Sequence, residues 1–354
     1  MPDDYDFTKR LRKPISNTPY ITYILIVISI VMTAAYWIAQ EQKTLNSPVG
    51  LIASFGIPNE AKIWSGHVYY LLTAVFLHGS WAHILFNMYW LYKLGGLLEI
   101  TIPRYAYLGF VIASAMVSSG VELCLFGHSG IGISGVVYAL FGILWAGRGT
   151  YQGWRIEVNS ETFRTFVAWA VICVVTTTMG IMNVANGAHF GGMLFGMALG
   201  WLFIAPRRQT VWAIPLVITV LMTLLSVVWL PWRAEWCLFK GDQQRAKQKF
   251  DAASSWYERG YKSFGDKTLL YYANAQTWTA YGLRAEALND KAEVERANQK
   301  LKEIEVLLEE SFQAHQKPSP NETDASSSAL ERIQKDLQGN KTNSKDTTET
   351  NEDR

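Results

Sequence analysis

Cysteine and charge are both scarce in the first two thirds of this 354-residue chain. The chain holds three cysteines, Cys124, Cys173 and Cys237, and their spacing fits neither a disulfide framework nor a metal site. Residues 1–232 carry 13 Lys and Arg and 9 Asp and Glu, whereas residues 233–354 carry 19 and 21. The chain therefore divides into an apolar part and a C-terminal part with the charge density of a soluble protein.

Basic side chains form no continuous patch, since the formal net charge is only +2 and the lysines and arginines are dispersed. We therefore expect no nucleic-acid partner. The sequence also lacks an H-E-x-x-H zinc motif, a phosphate-binding glycine loop and paired aspartates within apolar runs. We expect neither a metal nor an organic cofactor.

Long apolar runs dominate residues 1–232 and predict an all-α membrane protein. About 20 residues suffice for a helix to cross a bilayer core of roughly 30 Å. Candidate spans cover residues 20–39, 80–98, 105–126, 132–147, 165–182, 188–204 and 211–230. Residues 66–79 are also apolar, but about 14 residues are short for a crossing, so we expect an interfacial or re-entrant element there.

The distribution of positive charge predicts the orientation, because cytoplasmic loops of membrane proteins are enriched in Lys and Arg. With a cytoplasmic N-terminus, eleven basic residues before residue 232 fall on or near the inner side, and only Lys43 and Lys62 fall outside. Seven crossings then put the C-terminal region on the outer side. No organelle-import signal is recognised, so we expect a bacterial plasma (inner) membrane.

A serine between glycines, Ser134, stands at the start of the short fourth run, and His189 stands near the start of the sixth. A serine hydroxyl becomes a nucleophile when a base lies within hydrogen-bond reach. The predicted topology puts both residues at a similar depth near the outer side. His83 and Asn87, one turn apart near the outer end of the second run, fall at the same level.

Small residues at every third or fourth position predict close packing between the fourth and sixth spans. The two stripes are Gly135, Ala139, Gly142 and Ala146, and Ala188, Gly192, Gly196 and Gly200. Close approach is what a direct hydrogen bond between Ser134 and His189 requires. Two more ionisable residues lie nearby: we expect His78 to anchor an outer loop, and Glu122 to pair with a neighbour or face water.

Each candidate has a structural alternative when it is considered alone. Ser134 could cap a helix N-terminus, and His189 could be a core histidine. Asn87 could form an interhelical hydrogen bond, His83 could be a structural partner, and Tyr138, one turn after the serine, could simply pack. The serine and the histidine together favour chemistry more strongly than either does alone.

Three segments resemble the signature regions of rhomboid intramembrane serine proteases. They are HGSWAHILFNMYWLYKLGGLLE (78–99), GIGISGVVYALFG (130–142) and AHFGGMLFG (188–196). Their order and spacing match that family over roughly residues 19–204. The resemblance implies a six-helix bundle that acts in the lipid bilayer. It implies a serine endopeptidase that cleaves peptide bonds in or next to transmembrane segments of other membrane proteins.

The resemblance also assigns roles to individual residues. Ser134 resembles the nucleophile, and His189 resembles the general base of a dyad that has no aspartate. His83, Asn87 and the Ser134 backbone match an oxyanion hole, and Tyr138 matches the tyrosine that packs on the base. The glycines among the matches are Gly132 and Gly135 at the backbone of the nucleophile, and Gly192 and Gly196 in helix packing.

The predicted domains follow from these assignments. They are a cytoplasmic segment (1–18), a rhomboid-like catalytic membrane domain (19–204), a seventh transmembrane helix (211–230), a soluble helical region (233–315) and a disordered tail (316–354) that is too polar to fold. In the soluble region, we expect helices over Gln243–Tyr257, Thr268–Ala287 and Lys291–Phe312, which resemble one tetratricopeptide-like hairpin. Such a hairpin would either cap the membrane domain or bind a protein partner.

Two other functions remain as alternatives. The first is a proteolytically inactive rhomboid-like scaffold that binds membrane clients, although a scaffold would not need both Ser134 and His189. The second is a transporter, which is disfavoured because the polar residues cluster at one outer site and trace no path across the bilayer.

Overall fold

The structure, a computed structural model, describes residues 14–42, 47–204, 209–265 and 267–315. Across these ranges the chain is all-helical, as the sequence predicts, apart from one isolated β-bridge between Arg233 and Phe264. The predicted tail (316–354) and most of the predicted N-terminal segment (1–18) lie outside the described residues.

The helices follow one another with short connections. In chain order they are α1 (Tyr20–Glu41), α2 (Pro48–Ser54), α3 (Glu60–Trp64), α4 (Tyr70–Thr73), α5 (Trp81–Trp90), α6 (Gly96–Glu99), α7 (Arg104–Phe126), α8 (Ser134–Gly147), α9 (Gln152–Glu157), α10 (Ser160–Thr178), α11 (Asn186–Leu199), α12 (Gln209–Val228), α13 (Ala234–Ala246), α14 (Phe250–Gly260), α15 (Thr268–Ala287) and α16 (Lys291–His315). A π-helical turn, Leu91–Gly95, joins α5 to α6, and a second one, Gly200–Ile204, extends α11.

Within the described ranges, four helices are long and apolar enough to cross a membrane: Tyr20–Glu41, Arg104–Phe126, Asn186–Ile204 and Val211–Val228. The short helical segment Tyr70–Phe76 meets Trp81–Glu99 at an angle of 102°. This bend is the geometry either of a broken span or of a re-entrant element.

Helix α8 forms the centre of the apolar part, with twelve of its fourteen residues buried. It packs most closely against α11, because small residues line both helices as the sequence predicts. A Cβ added to Gly142, for example, would lie 2.5 Å from the carbonyl oxygen of Met193. At about 1.5 Å per residue α8 spans roughly 21 Å, so its first residue can lie below the level of a membrane surface.

The N-terminus of α1 is held by a buried carboxylate from α6. Glu99 accepts the backbone N–H groups of Ile21 at 2.9 Å and Thr22 at 2.8 Å, and also the Thr22 hydroxyl at 2.8 Å. The same hydroxyl lies 2.8 Å from the Tyr107 hydroxyl on α7. Pro19, the residue before the helix, forms no side-chain cap, so Glu99 satisfies N–H groups that the helix itself leaves free.

Helix α10 begins five residues before the predicted start of its span at residue 165. The Asn159 side chain accepts the backbone N–H groups of Glu161 and Thr162 and thereby caps the helix. Charged residues of the first turn, including Arg164, therefore belong to the helix although they lie outside the apolar run.

The segment after α12 docks onto the C-terminus of α7. The Trp232 indole donates to the carbonyl of Cys124 at 3.4 Å, and the Arg233 guanidinium donates to the carbonyls of Leu125, at 3.2 Å, and Phe126. These carbonyls have no partner within α7 because they belong to its last turn. Glu235 holds the guanidinium from the other side at 3.0 Å.

The predicted helix Gln243–Tyr257 is wrong. α13 ends at Ala246 and α14 begins at Phe250, with Gln248 between them in the left-handed region at a φ of 57°. The chain reverses there, so that Tyr257 returns to donate a hydrogen bond from its hydroxyl to Asp242 at 2.9 Å.

The chain divides into two compact units, and the boundary falls after Leu270. The second unit starts at Tyr271, and in it Trp278 is 2% exposed and packs with Ala297 and Ile304. Helices Thr268–Ala287 and Lys291–His315 agree closely with the predicted bounds.

Candidate active site

Ser134 is the first residue of α8 and His189 is the fourth residue of α11. The Ser134 Oγ lies 2.8 Å from the His189 Nε2, within the range for proton transfer between a nucleophile and its base. The serine does not cap its own helix, since Ile133 occupies the N-cap and no side-chain cap forms there. Its hydroxyl is therefore directed to the histidine instead of to a backbone N–H.

The His189 imidazole is held mainly by packing. It is 4% exposed and stacks on the Tyr138 ring, with 4.6 Å between centroids and 19° between planes. The Tyr138 hydroxyl donates to the carbonyl of Phe166 at 3.2 Å, which fixes that ring in turn. The Nδ1 atom of His189 is buried without a hydrogen-bond partner among the described residues.

Two side chains of α5 converge beside the loop that precedes Ser134. A Cβ added to Gly132 would lie 2.5 Å from the His83 Nε2 and 3.6 Å from the Asn87 Nδ2. Only glycine fits here, because its φ is 107° and the His83 ring occupies the space of a side chain. The Asn87 Nδ2 is buried and has no hydrogen-bond partner within the described ranges, so it can donate to a ligand.

His78 lies behind His83 and outside the immediate site. Its Nδ1 is 3.2 Å from the Thr33 Oγ1, and its carbonyl accepts the Trp37 indole N–H at 2.9 Å. Its ring packs edge-on against that of His83, with 4.8 Å between centroids. It thus fixes the loop between α4 and α5 to α1 and supports the His83 ring.

A cavity of about 500 Å³ opens onto these groups. Ser134, His83, Asn87 and His189 all line it. The rest of the wall comes from the loop before α8, the loop before α11, and α5 and α10, with Phe86 and Trp169 among its members. These two rings stack 4.7 Å apart between α5 and α10. Of the residues of α10, only Phe166 and Cys173 are buried, so this helix is held more loosely than α7 or α8.

Two glycines of α11 bring it against α8 next to the serine. A Cβ added to Gly192 would overlap the carbonyl of Gly135, and one added to Gly196 would overlap that of Ala139. Gly135 itself lies so close to α7 that an added Cβ would be 2.5 Å from the Ser118 Cβ. The backbones of α8 and α11 therefore approach without intervening side chains, and the small Ser118 side chain of α7 lies directly against Gly135.

Two carboxylates near the site hold backbone groups: Glu60, which the sequence analysis did not single out, and Glu122, which was expected to pair with a neighbour or face water. Glu60 accepts the Ser129 N–H at 2.9 Å and its hydroxyl at 3.2 Å, and so fixes the loop before α8. Glu122 accepts the Ala188 N–H at 3.0 Å. The sequence gives only a weak indication of these two contacts. Glu60 and Glu122 are acidic residues in or beside apolar stretches, and few basic residues are nearby to pair with them.

Comparison with known proteins supports the resemblance noted from the motifs. Residues 65–206 match the family model described as the rhomboid domain. The chain is 28% identical over 185 residues to proteins named rhomboid protease GlpG from Salmonella paratyphi A and Salmonella typhi. Each match covers 51% of this chain and 62% of the relative, so the chain spans about three fifths of the length of these relatives.

The family match ends at residue 206 and does not extend to α12 or to the helices beyond it. Neither the seventh span nor the tetratricopeptide-like character of the C-terminal region gains support from it. Together with the apolar helices, the comparisons support an integral, multi-pass membrane protein whose residues 65–206 are similar to the rhomboid domain.

Proposed function

We propose that this protein is an intramembrane serine endopeptidase that hydrolyses peptide bonds in or next to transmembrane segments of other membrane proteins. The observation that carries the proposal is the 2.8 Å contact between the Ser134 Oγ and the His189 Nε2, in a cavity that also exposes the donors of His83 and Asn87. Hydrolysis inside a membrane requires a cavity that water can enter, and the largely apolar wall of this one carries the polar side chains of Ser134, His83 and Asn87.

In the proposed reaction His189 removes the Ser134 proton as the Oγ attacks the scissile carbonyl carbon. The proton then passes from the Nε2 to the leaving amine, and the carbon–nitrogen bond breaks to give an acyl-enzyme. Water, deprotonated by the same imidazole, then attacks the ester carbon; the bond from that carbon to the Ser134 Oγ breaks, the imidazolium returns the proton to the Oγ, and the acid product leaves. Stacking on Tyr138 keeps the ring oriented in the absence of a carboxylate on the Nδ1.

Asn87, His83 and the backbone N–H of Ser134 would stabilise the oxyanion. The buried Asn87 Nδ2 is unpartnered, so binding an oxyanion would not require it to break a protein hydrogen bond. One such donor is worth about 2.7–4 kcal/mol in soluble serine proteases. We therefore expect Asn87→Ala to lower kcat by roughly 10²- to 10³-fold.

The resemblance supports the proposed substrate class, and the position of the site is compatible with it. An extended segment has to reach Ser134 from the lipid side or from the outer surface, so a transmembrane helix that unwinds easily is suited to it. The family resemblance adds the expectation of a small residue before the scissile bond. The loosely held helix α10, with Trp169 at the cavity wall, offers one side for such a segment to approach.

The test uses the purified full chain, reconstituted in liposomes with a single-span reporter whose fragments are separated by size. The wild type should cut the reporter, and Ser134→Ala should not. Ser114→Ala is the matched control, since Ser114 is a buried serine of the neighbouring helix α7 without a hydrogen-bond partner in the described part of the chain. Cleavage that persists in Ser134→Ala would remove this serine from the mechanism.

The inactive scaffold remains as the alternative outcome of this test. A wild type that cuts no reporter and does not react with a fluorophosphonate probe would support it. Covalent labelling at Ser134, identified by mass spectrometry and lost in His189→Ala, would support the protease even before a natural substrate is found.

We also propose that α12 is a seventh span and that the protein resides in a bacterial inner membrane with its N-terminus in the cytoplasm and its C-terminal region outside. The contacts of Arg233 with the C-terminus of α7 favour this arrangement, because the same end of α7 leads into the loop before Ser134. Alkaline phosphatase fused after residue 270 should be active in cells, and an inactive fusion would contradict the orientation.

A further inference from the structure

Glu122 is the buried ionisable residue that the proposed mechanism leaves unused. It lies on α7 and is 1% exposed. A carboxylate in such a place needs strong hydrogen bonds, since burying an unpaired charge is unfavourable. Across the described residues, the ion pairs of the structure do not include it. Its partners are instead backbone groups of the helix that carries His189.

The carboxylate caps α11 from outside that helix. Its Oε2 accepts the Ala188 N–H at 3.0 Å. Ala185 occupies the N-cap position of α11 and provides no side-chain cap. The first N–H groups of a helix lack partners within it and attract negative charge. Glu122 therefore does for α11 what an Asp or Ser at the N-cap does for other helices.

The sequence of α11 leaves room for this contact. A Cβ added to Gly187 would lie 2.7 Å from the Glu122 Oε2 and 3.1 Å from the Phe126 ring. Any larger residue would push the first turn of α11 away from α7. Glycine at this position thus allows the carboxylate to reach the backbone one residue before His189.

The placement of His189 depends on this turn more than on side-chain hydrogen bonds. Its Nδ1 has no hydrogen-bond partner within the described ranges, and its Nε2 faces the serine. Stacking on Tyr138 and the path of its own backbone therefore contribute to the position of the ring. A small shift of the first turn would therefore change the distance to Ser134 directly.

On the basis of the proposed protease function, we propose that Glu122 is a positioning residue for the catalytic base. It anchors the first turn of α11 to α7 and so keeps the His189 Nε2 within reach of the Ser134 Oγ. It touches neither the substrate nor the reacting atoms, and it takes no proton in the reaction.

The test compares Glu122→Ala and Glu122→Gln in the full chain, with Ser114→Ala as a control on the same helix. Glutamine keeps an acceptor oxygen at the same place and should retain most of the activity. Alanine should lower kcat by about 10- to 100-fold, as expected for a small misplacement of a catalytic group, and leave KM within about twofold. Ser114→Ala should behave as the wild type. A kcat for Glu122→Ala equal to that of the wild type would overturn the proposal.

A second measurement does not depend on activity. Hydrogen exchange of the peptide that contains residues 185–192 should be faster in Glu122→Ala than in the wild type and near normal in Glu122→Gln. Unchanged exchange in Glu122→Ala would overturn the anchoring role even if activity fell. If the wild type were inactive but exchange changed as expected, the anchoring would stand and the protease function would be the part that failed.

Discussion

Gly192→Ala tests whether the close approach of α8 and α11 sets the geometry of the proposed dyad. Gly192 lies one turn after His189, and its added Cβ would overlap the Gly135 carbonyl oxygen and come within 3.0 Å of the carbonyl carbon. Unstrained carbon atoms stay about 3.5–4.0 Å apart. The two backbones must therefore separate by roughly 0.5–1 Å, and they must do so beside Ser134.

That separation would break the contact between the dyad residues. The Ser134 Oγ and the His189 Nε2 are 2.8 Å apart, so an added shift of roughly 0.5–1 Å takes them to or beyond the limit of a good hydrogen bond. A misplacement of about 1 Å can lower the rate by roughly 10²-fold. The overlap also destabilises the packed helices, by about 1–3 kcal/mol.

The assay measures kcat on a single-span reporter and Tm in the same detergent, so that loss of fold and loss of geometry are separated. Gly109→Ala is the matched control, since this glycine of α7 has open space around it and should tolerate the methyl group. Gly196→Ala, one turn further from the site, should lower Tm similarly and kcat less. Normal kcat and Tm in Gly192→Ala would refute the argument that backbone contact positions the base.

Three further predictions concern stability and reactivity. Arg233→Ala should lower Tm, because the carbonyls of Leu125 and Phe126 lose their hydrogen-bond donor. A hydrogen bond to a charged group contributes about 1.5–3 kcal/mol to stability. An unchanged Tm would contradict the role of Arg233 in docking this segment. Glu99→Ala should lower the free energy of unfolding, measured in sodium dodecyl sulfate, by more than ~3 kcal/mol. The reason is that three buried donors would lose their acceptor, at a cost of about 1–3 kcal/mol for each donor. Glu99→Gln, which keeps an acceptor oxygen, should lower it by less. Burial raises the pKa of the Cys237 thiol to about 11, so iodoacetamide at pH 8 should leave Cys237 unmodified in the folded protein and modify it after denaturation. The stability that this shift contributes is present below the ordinary thiol pKa and falls as the pH rises toward 11, and rapid labelling at pH 8 would contradict the shift.

The helix contacts around the site could be predicted because they leave a local pattern. Small residues at every third or fourth position of two apolar runs predicted that α8 and α11 approach closely, and in the structure a Cβ added to Gly192 or Gly196 would overlap a carbonyl of α8. The pairing of Ser134 with His189 followed from the same stripes and from the family resemblance. The catalytic roles themselves remain predictions until the proposed assays are made.

Features that depend on contacts between distant segments left no such pattern. The turn between α13 and α14 was missed because alanine and aromatic residues continue at helical spacing across it, and because Gln248 gives no glycine or proline signal for a left-handed turn. The contact of Glu122 with Ala188 joins residues 66 positions apart. The acceptor is a side-chain carboxylate, but the donor is a backbone N–H. Every residue except proline has such a group, so the residue types do not indicate which one Glu122 would contact.

Glu60, Glu99 and Glu122 share one structural principle. Each accepts a backbone N–H from a distant segment: the loop before α8, the start of α1 or the start of α11. In an apolar domain a hydrogen bond from N–H to an ionised carboxylate is stronger than one to a neutral acceptor, and the positive end of a helix dipole adds to it at α1 and α11. A cation at any of these positions would meet the same N–H groups and be repelled. These three carboxylates are therefore best explained as anchors of backbone segments, and two of them hold the segments that lead into or carry the proposed nucleophile and base.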